Sequence, residues 1–421
     1  MHNHFKFPLI VFALIFSAPL FAQKVTVGEI AYKTQQIGSI DLENADIAAI
    51  AEAIGDARVV MLGEQSHGDG ETFKAKAAIV KYLHEKKGFS VLAFESDMFA
   101  LEMGTISLSS DSLMKFWHNN LYPIWSQSEQ MQPLLKYILN ADKFRLTGFD
   151  SQAIGNYSAS NLKQYLQTML SPLNAPDERE RLDFILRFTD TIVSQRTMNN
   201  AMLQNFSKRN KKNLEYYTQS LATYIDLLAR NQPKPIDIQM LRSLMGFARQ
   251  SKYSGYQATI LSRDSAMAAN VKWIVDHQYA HQKIIIWAAS GHTAKDALDL
   301  RNKPQLKRMG WWLHQLIDTK KVYSIAFTSR EGSTGIFKEN PILPPVKDSY
   351  EINVPSIMSY GFLDLRPFRS AHVNFIGRFY GHEKAERDWA SVYDGIFYIK
   401  TNHYSKKING SPKVATEQIK P

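Results

Sequence analysis

The sequence predicts a three-layer α/β fold with a mostly parallel sheet and a helical insertion, and three observations lead there. Short apolar runs rich in β-forming residues recur at 58–62, 90–94, 144–149, 283–288 and 322–327, with a later one at 395–400. Each lacks polar alternation and is bounded by chain breakers, the pattern of a strand buried on both faces. Between the first two runs, residues 71–86 carry apolar side chains at helical spacing and stop at Gly88. Strand, helix and strand in that order form a βαβ unit, hence a parallel sheet with helices on its faces. The third observation is a stretch from 156 to 278 with no convincing strand. Its amphipathic patterns, such as 182–194 and 214–228, are broken near Pro172, Pro176, Pro233 and Pro235.

The elements divide the chain as follows. Residues 1–22 read as a signal peptide: Lys6 precedes an apolar run from Phe7 to Ala22, interrupted by Pro8 and Pro19. The run is shorter than the roughly 18–20 residues of a membrane-spanning helix, and the small Ala22 stands where cleavage is expected. An uncleaved anchor is the alternative. Residues 23–155 form the first half of the α/β core, 156–278 the helical insertion, 279–405 the second half, and 406–421 a polar tail. The insertion is placed to serve as a lid or as one wall of a cleft, or simply as helical padding. The expectation is an exported protein, periplasmic or secreted, with no stable membrane insertion once the signal is removed.

Composition narrows the chemistry. There is no cysteine among the 421 residues, which removes disulfides, thiolate metal sites and a cysteine nucleophile. The net charge of +10 is dispersed; its densest run, Lys208 to Lys212, lies in a helix-like stretch and reads as a solvated face. No nucleic-acid partner is expected.

In parallel sheets ligands bind beyond the carboxyl ends of the strands. After the first run come Gly63, Glu64, Gln65, Ser66, His67, Gly68, Asp69, Gly70 and Glu71; after the second, Glu95 and Asp97; after the third, Asp150. After the fourth come Ser290, Gly291 and His292, and after the fifth Ser329 and Arg330. Any one of these reads equally well as a cap or surface residue, but their convergence on one sheet edge points to an active site. Gly63, Gly68 and Gly70 permit a tight turn and close approach of backbone to a ligand. Glu64 and His67, three apart, meet across a turn. A carboxylate on one ring nitrogen fixes the tautomer and frees the other as a general base. Taken alone, the same cluster also reads as a capped helix with a polar turn residue. His292, with the small neighbours Ala289, Ser290 and Gly291, leaves room for a ligand. No Gly-x-Ser-x-Gly elbow, His-Glu-x-x-His motif or phosphate-binding loop is present.

The block Gly63-Glu64-Gln65-Ser66-His67-Gly68, followed by Glu71, Phe73, Lys76, Gly88-Phe89 and Glu95, resembles the opening of the erythromycin esterase family. The likeness continues through Trp125, Glu129, Gly148-Phe149-Asp150, Arg263-Asp264, Met267-Ala268, Asn270, Trp287 to His292, Met309-Gly310 and Leu363 to Arg366. The resemblance implies a three-layer α/β fold and a hydrolase of carboxylic esters or lactones, macrolides included, that uses no serine nucleophile and no cofactor or metal. It implies that His67 deprotonates water, that Glu64 orients His67 and that His292 assists the carbonyl or leaving group. Glu95 and Asp150 would hold the polar network and Lys76 would offset developing negative charge, while Glu71, Ser290 and Arg330, placed by the strand ends, are further candidates to support them or bind substrate. One departure stands out: where the family has His-Asn-x-His, this chain has Ala289-Ser290-Gly291-His292. A wider group with the same Glu-x-x-His start supplies two alternatives, a metal-dependent hydrolase or peptidase and a non-catalytic haem or small-ligand binder.

Overall fold

The computed structural model describes residues 25–106, 108–173, 178–231, 233–296 and 306–409; the proposed signal peptide and most of the polar tail lie outside them. The strands among the described residues are β1 (Gln35–Ile37), β2 (Val59–Glu64), β3 (Phe89–Asp97), β4 (Arg145–Asp150), β5 (Lys283–Ala289), β6 (Val322–Thr334), β7 (Asn340–Pro341), β8 (Tyr360–Asp364), β9 (Asn374–Tyr380), β10 (Glu383–Asp388) and β11 (Gly395–Asn402). The main sheet runs β1-β8-β11-β6-β2-β5-β3-β4, with β7 added to the end of β6. From β11 to β4 the neighbours are parallel, while β8 and β1 are antiparallel. The β9 and β10 strands form a separate antiparallel ribbon.

The six apolar runs are the six parallel strands. Their lack of alternation has a direct cause. In β2, β3 and β5, Val59, Met61, Val91, Ala93, Ile284 and Ile286 pack on one face against the helices of 156–273. Their neighbours Val60, Leu62, Leu92, Phe94, Ile285 and Trp287 pack on the other, against helices Ala48–Ile54, Gly70–Lys87 and Gln132–Asn140. Successive strand side chains point to opposite faces, so both sets must be apolar when both faces are covered. The fold is therefore an α/β/α sandwich. At roughly 1.5–3 kcal/mol for each fully buried Val, Leu, Ile or Phe, these two layers, rather than surface charge pairs, hold it together.

Helix Gly70–Lys87 stops where the sequence indicates. Gly88 adopts a left-handed conformation, φ 71°, and its N–H bonds back to Leu83. Residues 156–273 form five long helices, Asn156–Leu170, Arg179–Val193, Asn200–Ala229, Pro235–Ser251 and Tyr256–Trp273, with no strand among the described residues. The last returns the chain to β5 across the carboxyl edge of the sheet.

Strand register sets the floor of the site. Glu64 lies beside Ala289, and Asp97 beside Asp150. Between Phe94 and Asp97, β3 carries one more residue than β4 does between Gly148 and Asp150. Such a bulge re-aims a side chain, here at Glu95.

Gly63 and Gly88 are required for different reasons. A Cβ on Gly63 would stand 2.4 Å from Thr293 Oγ1 and 2.7 Å from Ser290 Cα, whereas one on Gly88 would meet nothing within 4 Å. Gly88→Ala should therefore lose only about 1 kcal/mol, the left-handed backbone penalty. Gly63→Ala should lose more, because backbone must shift. Urea unfolding midpoints should rank wild type, Gly88→Ala, Gly63→Ala; the reverse order of the two variants would refute this packing.

Candidate active site

β2 ends on Glu64 and the chain turns at once into helix Gly70–Lys87. The turn brings His67 Nδ1 to 3.2 Å from Glu64 Oε1. The other Glu64 oxygen accepts from the Lys76 ammonium, which reaches back from the second turn of the helix. Lys76 and Glu64 are wholly buried. Lys76 also donates to the Ala288 carbonyl at 3.3 Å and lies 4.1 Å from the centre of the Trp287 ring. Burial pushes the Lys76 ammonium down to about 8, with Glu64 and Glu95 pulling the other way. With Nδ1–H donated to Glu64, neutral His67 presents Nε2 as an acceptor. That nitrogen makes no hydrogen bond among the described residues.

A second set of charges meets the first at Glu95. Its Oε1 lies 2.8 Å from Arg263 Nη2 and 3.1 Å from His292 Nε2, and its Oε2 accepts from Ala289 N–H at 3.1 Å. Arg263 spans to Asp150, with Nη2 at 2.5 Å and Nε at 3.1 Å, and Asp150 accepts from Tyr122 Oη at 3.0 Å. The other nitrogen of His292 lies 2.9 Å from Asp264. Asp264 in turn accepts from Arg308 Nε at 2.8 Å and from the Met309 N–H at 2.9 Å.

The electrostatics follow from this alternation. Burial alone raises the Glu95 carboxyl, but His292 and Arg263 outweigh it and hold Glu95 well below the usual carboxylate range. Burial likewise opposes the charge on Asp264, and Arg308 and His292 bring its carboxyl down. His292 is desolvated, yet Asp264 and Glu95 raise it above 6.5. With a carboxylate on each ring nitrogen, His292 is built to remain a cation.

The network borders a cleft of about 480 Å³ lined by His67, Glu95 and Arg263 on one side and by the helical region on the other. Helix Pro235–Ser251 and its surroundings contribute Phe247, Gln250, Ser251 and Tyr253, and the preceding turn contributes Gln195 and Arg196. The helical stretch thus supplies a wall of the cleft. Arg263 bonds through Nε and Nη2, while Nη1 makes no hydrogen bond among the described residues. His67 is 3% exposed and meets Trp125 edge-on at 5.5 Å between ring centres.

The structure gathers Glu64, His67, Lys76, Glu95, Asp150 and His292 into one place and leaves three others apart. Glu71 pairs with Lys74 at 3.1 Å and accepts from Tyr360 Oη at 2.7 Å, away from the cleft. Ser290 is buried at the start of the short helix Ser290–Thr293, its carbonyl taken by Tyr393 Oη at 3.0 Å. Arg330 does not follow its strand, because β6 runs on to Thr334, and it stands beside Tyr398. The glycines are also spent on packing rather than on a ligand: Gly63 against Ser290 and Thr293, Gly68 against Gly335, and Gly70 against Tyr404 and Gln130. Arg263, Asp264, Arg308 and Tyr122 have no role in the sequence reading. The available clue was an Arg-Asp dipeptide inside an otherwise helical segment; adjacent helical residues diverge, so one faces Glu95 and the other His292. Among the described residues no three His, Asp or Glu side chains are grouped to hold a metal ion.

Histidine–carboxylate pairs at the carboxyl edge of a parallel sheet, facing a cleft, define an α/β protein of the hydrolase class. The chain belongs to the erythromycin esterase family, whose model matches residues 84–402. The match begins beyond Glu64, His67 and Lys76. The putative hydrolase YbfO of Bacillus subtilis (strain 168) is 26% identical over 375 residues, covering 80% of this chain and 81% of that protein. Among solved structures, a Bacillus cereus protein aligns with TM-score 0.70 at 19% identity, over 91% of this chain and 98% of its own. A succinoglycan biosynthesis protein aligns equally well, TM-score 0.70 at 19% identity, over 90% and 97% of the two chains. A mutant of the erythromycin esterase EreC in its open conformation gives 0.64 at 15% identity, over 90% and 99%. These three likenesses are of fold.

The charge network carries a pH signature. The stabilisation from Asp264 is complete above 3.8 and is lost as pH falls through its lowered folded value. That from His292 is complete below 6.5 and is lost as pH rises through its raised folded value. Asp264→Ala should lower unfolding free energy by about 3–5 kcal/mol between these limits and flatten the stability profile outside them. Calorimetry across pH 3–9 checks this, and a profile parallel to wild type would show that the pair does not stabilise the fold.

Proposed function

We propose that the protein is a carboxylic ester hydrolase that cleaves an ester or opens a lactone with water activated by His67, without a serine nucleophile. One observation carries the reading: a free acceptor, His67 Nε2, and a free donor, Arg263 Nη1, stand on residues lining the same cleft. His67 Nε2 takes a proton from water as the oxygen attacks the ester carbonyl. The imidazolium that forms is stabilised by Glu64, whose other oxygen accepts from Lys76. Arg263 Nη1 donates to the oxyanion, where charge develops and fixed donors act most strongly. His67 then returns its proton to the departing alkoxide. No cleft-lining serine is paired with a histidine among the described residues; Ser251 Oγ is bonded to the Phe247 carbonyl at 2.8 Å.

In this scheme His292 and Lys76 act through the carboxylates in front of them. Neither lines the cleft, so His292 is a positioning residue for Glu95 and Arg263 rather than an acid at the leaving group. The macrolide lactone suggested by the family is retained as one substrate to be tested, and the N-terminal apolar run of the sequence supports a site of action outside the cytoplasm.

Aryl acetates, alkyl acetates and a 14-membered macrolide, each with and without chelator, test the reading on the purified chain. His67→Gln keeps the packing against Trp125 and should lower kcat/KM about 10²–10⁴-fold on whichever ester is cleaved. Undiminished turnover by that variant would remove His67 from the base role. Loss of the Lys76 proton should bring kcat/KM down above pH about 8. Lys76→Arg should carry that limb to higher pH. Stability should move the opposite way over this range. Between about 8 and 10.5 the folded chain binds fewer protons at Lys76 than the unfolded one, so this group adds stability as pH rises. An alkaline limb unmoved in Lys76→Arg would assign it elsewhere.

A further inference from the structure

The cleft lining carries several side-chain amides. Gln127 Oε1 and Gln250 Oε1 are buried without a hydrogen-bond partner, and both residues line the cleft. The side chains of Gln152 and Asn119, also on the lining, make no hydrogen bond among the described residues. By contrast Asn120 is fully used, its Nδ2 on the Phe116 carbonyl at 2.9 Å and its Oδ1 on Tyr157 N–H at 2.7 Å. The lining thus separates into amides that hold the fold and amides that hold nothing. Leaving a buried polar group unpaired costs roughly 1–3 kcal/mol, so Gln127 Oε1 and Gln250 Oε1 mark a surface shaped for a ligand, with the partly exposed Gln152 beside them on the lining.

The chemistry of that ligand follows from what an ester lacks. An ester or lactone group offers only acceptors, its carbonyl and ether oxygens. It can meet Arg263 Nη1, but it cannot donate to a glutamine oxygen. Donors must therefore come from the rest of the substrate. A hydroxyl both donates and accepts, so it satisfies an amide in either orientation of the O and N atoms. A charged group is not called for: the carboxylate on the described lining, Glu95, is already bonded to Arg263, His292 and Ala289, and the exposed Arg196 donates to Asn156 Oδ1 at 2.8 Å. Tyr253, 46% exposed on the lining, offers an aromatic face to C–H groups.

We infer that the substrate is an uncharged ester of a polyhydroxylated molecule, a sugar or polyol ester, read through its hydroxyls by Gln127, Gln152 and Gln250. The inference rests on the ester-hydrolase reading above and names its substrate class. A site whose polar groups are left unpaired by the wrong ligand discriminates strongly against it.

The test compares a monoacetate of methyl glucoside with cyclohexyl acetate, alcohols of similar ring size that differ in their hydroxyls. On the full chain, kcat/KM should favour the sugar ester on the order of a hundredfold, mostly through KM. Gln250→Leu, and separately the partly exposed Gln152→Leu, should each cut that ratio about tenfold; the second variant guards against misfolding of the first. Cleavage of cyclohexyl acetate as fast as the sugar ester would overturn the inference and leave ester hydrolysis standing. If neither ester is cleaved, the ester-hydrolase reading fails instead. Calorimetric titration of the same two compounds then decides the substrate class: tighter binding of the glucoside upholds the hydroxyl-reading wall, and equal or absent binding overturns it.

Discussion

Every part of this site depends on the balance of charge beneath it. Glu64, Glu95, Asp150 and Asp264 are removed from water, and each is met by a cation: Lys76, Arg263, His292 and Arg308. An isolated buried carboxylate would neutralise itself or pull water inward. Paired in alternation, the four are each offset by a cation at the end of an apolar sheet. His67 is attached to the ladder through one nitrogen only.

The sheet explains why the ladder can exist at all. Strands β2, β3 and β5 are apolar on both faces along their cores, and their acidic side chains Glu64, Glu95 and Asp97 stand at the carboxyl ends. Register then sets the neighbours: Glu64 beside Ala289, Asp150 beside Asp97. Ala289 contributes a backbone N–H rather than a side chain, fastening Glu95 at 3.1 Å. A departure from the family pattern at 289 thus leaves the local bonding of Glu95 complete.

Much of this is legible in the residues alone because the same physics governs both. A strand covered on two faces must be a short unbroken apolar run, so all six parallel strands are visible, and the left-handed stop at Gly88 ends its helix where a glycine stands. The outer strands β1, β8, β9 and β10 are not visible, since the exposed, mixed residues of β10, for example, carry no apolar run. Glu64 and His67 are legible because a three-residue turn joins them. Arg263, Asp264 and Arg308 are not, because each meets its partner across well over a dozen residues of chain, and only the folded helix Tyr256–Trp273 brings the first two to the sheet edge. For the same reason Glu71 and Arg330, well placed in sequence, turn out to serve the helix start and the outer sheet.

The contact at Gly63 has a wider consequence. With no room for even a methyl group between β2 and the Ser290–Thr293 segment, the Glu64 turn and the His292 turn are effectively one solid piece, although 228 residues of sequence separate them. The opposite wall of the cleft is built largely from helices that carry none of this constraint. Inheritance can therefore act on the two sides independently. Descendants of this chain can revise what they recognise, one helix face at a time, while the machinery that would break the bond passes down unaltered.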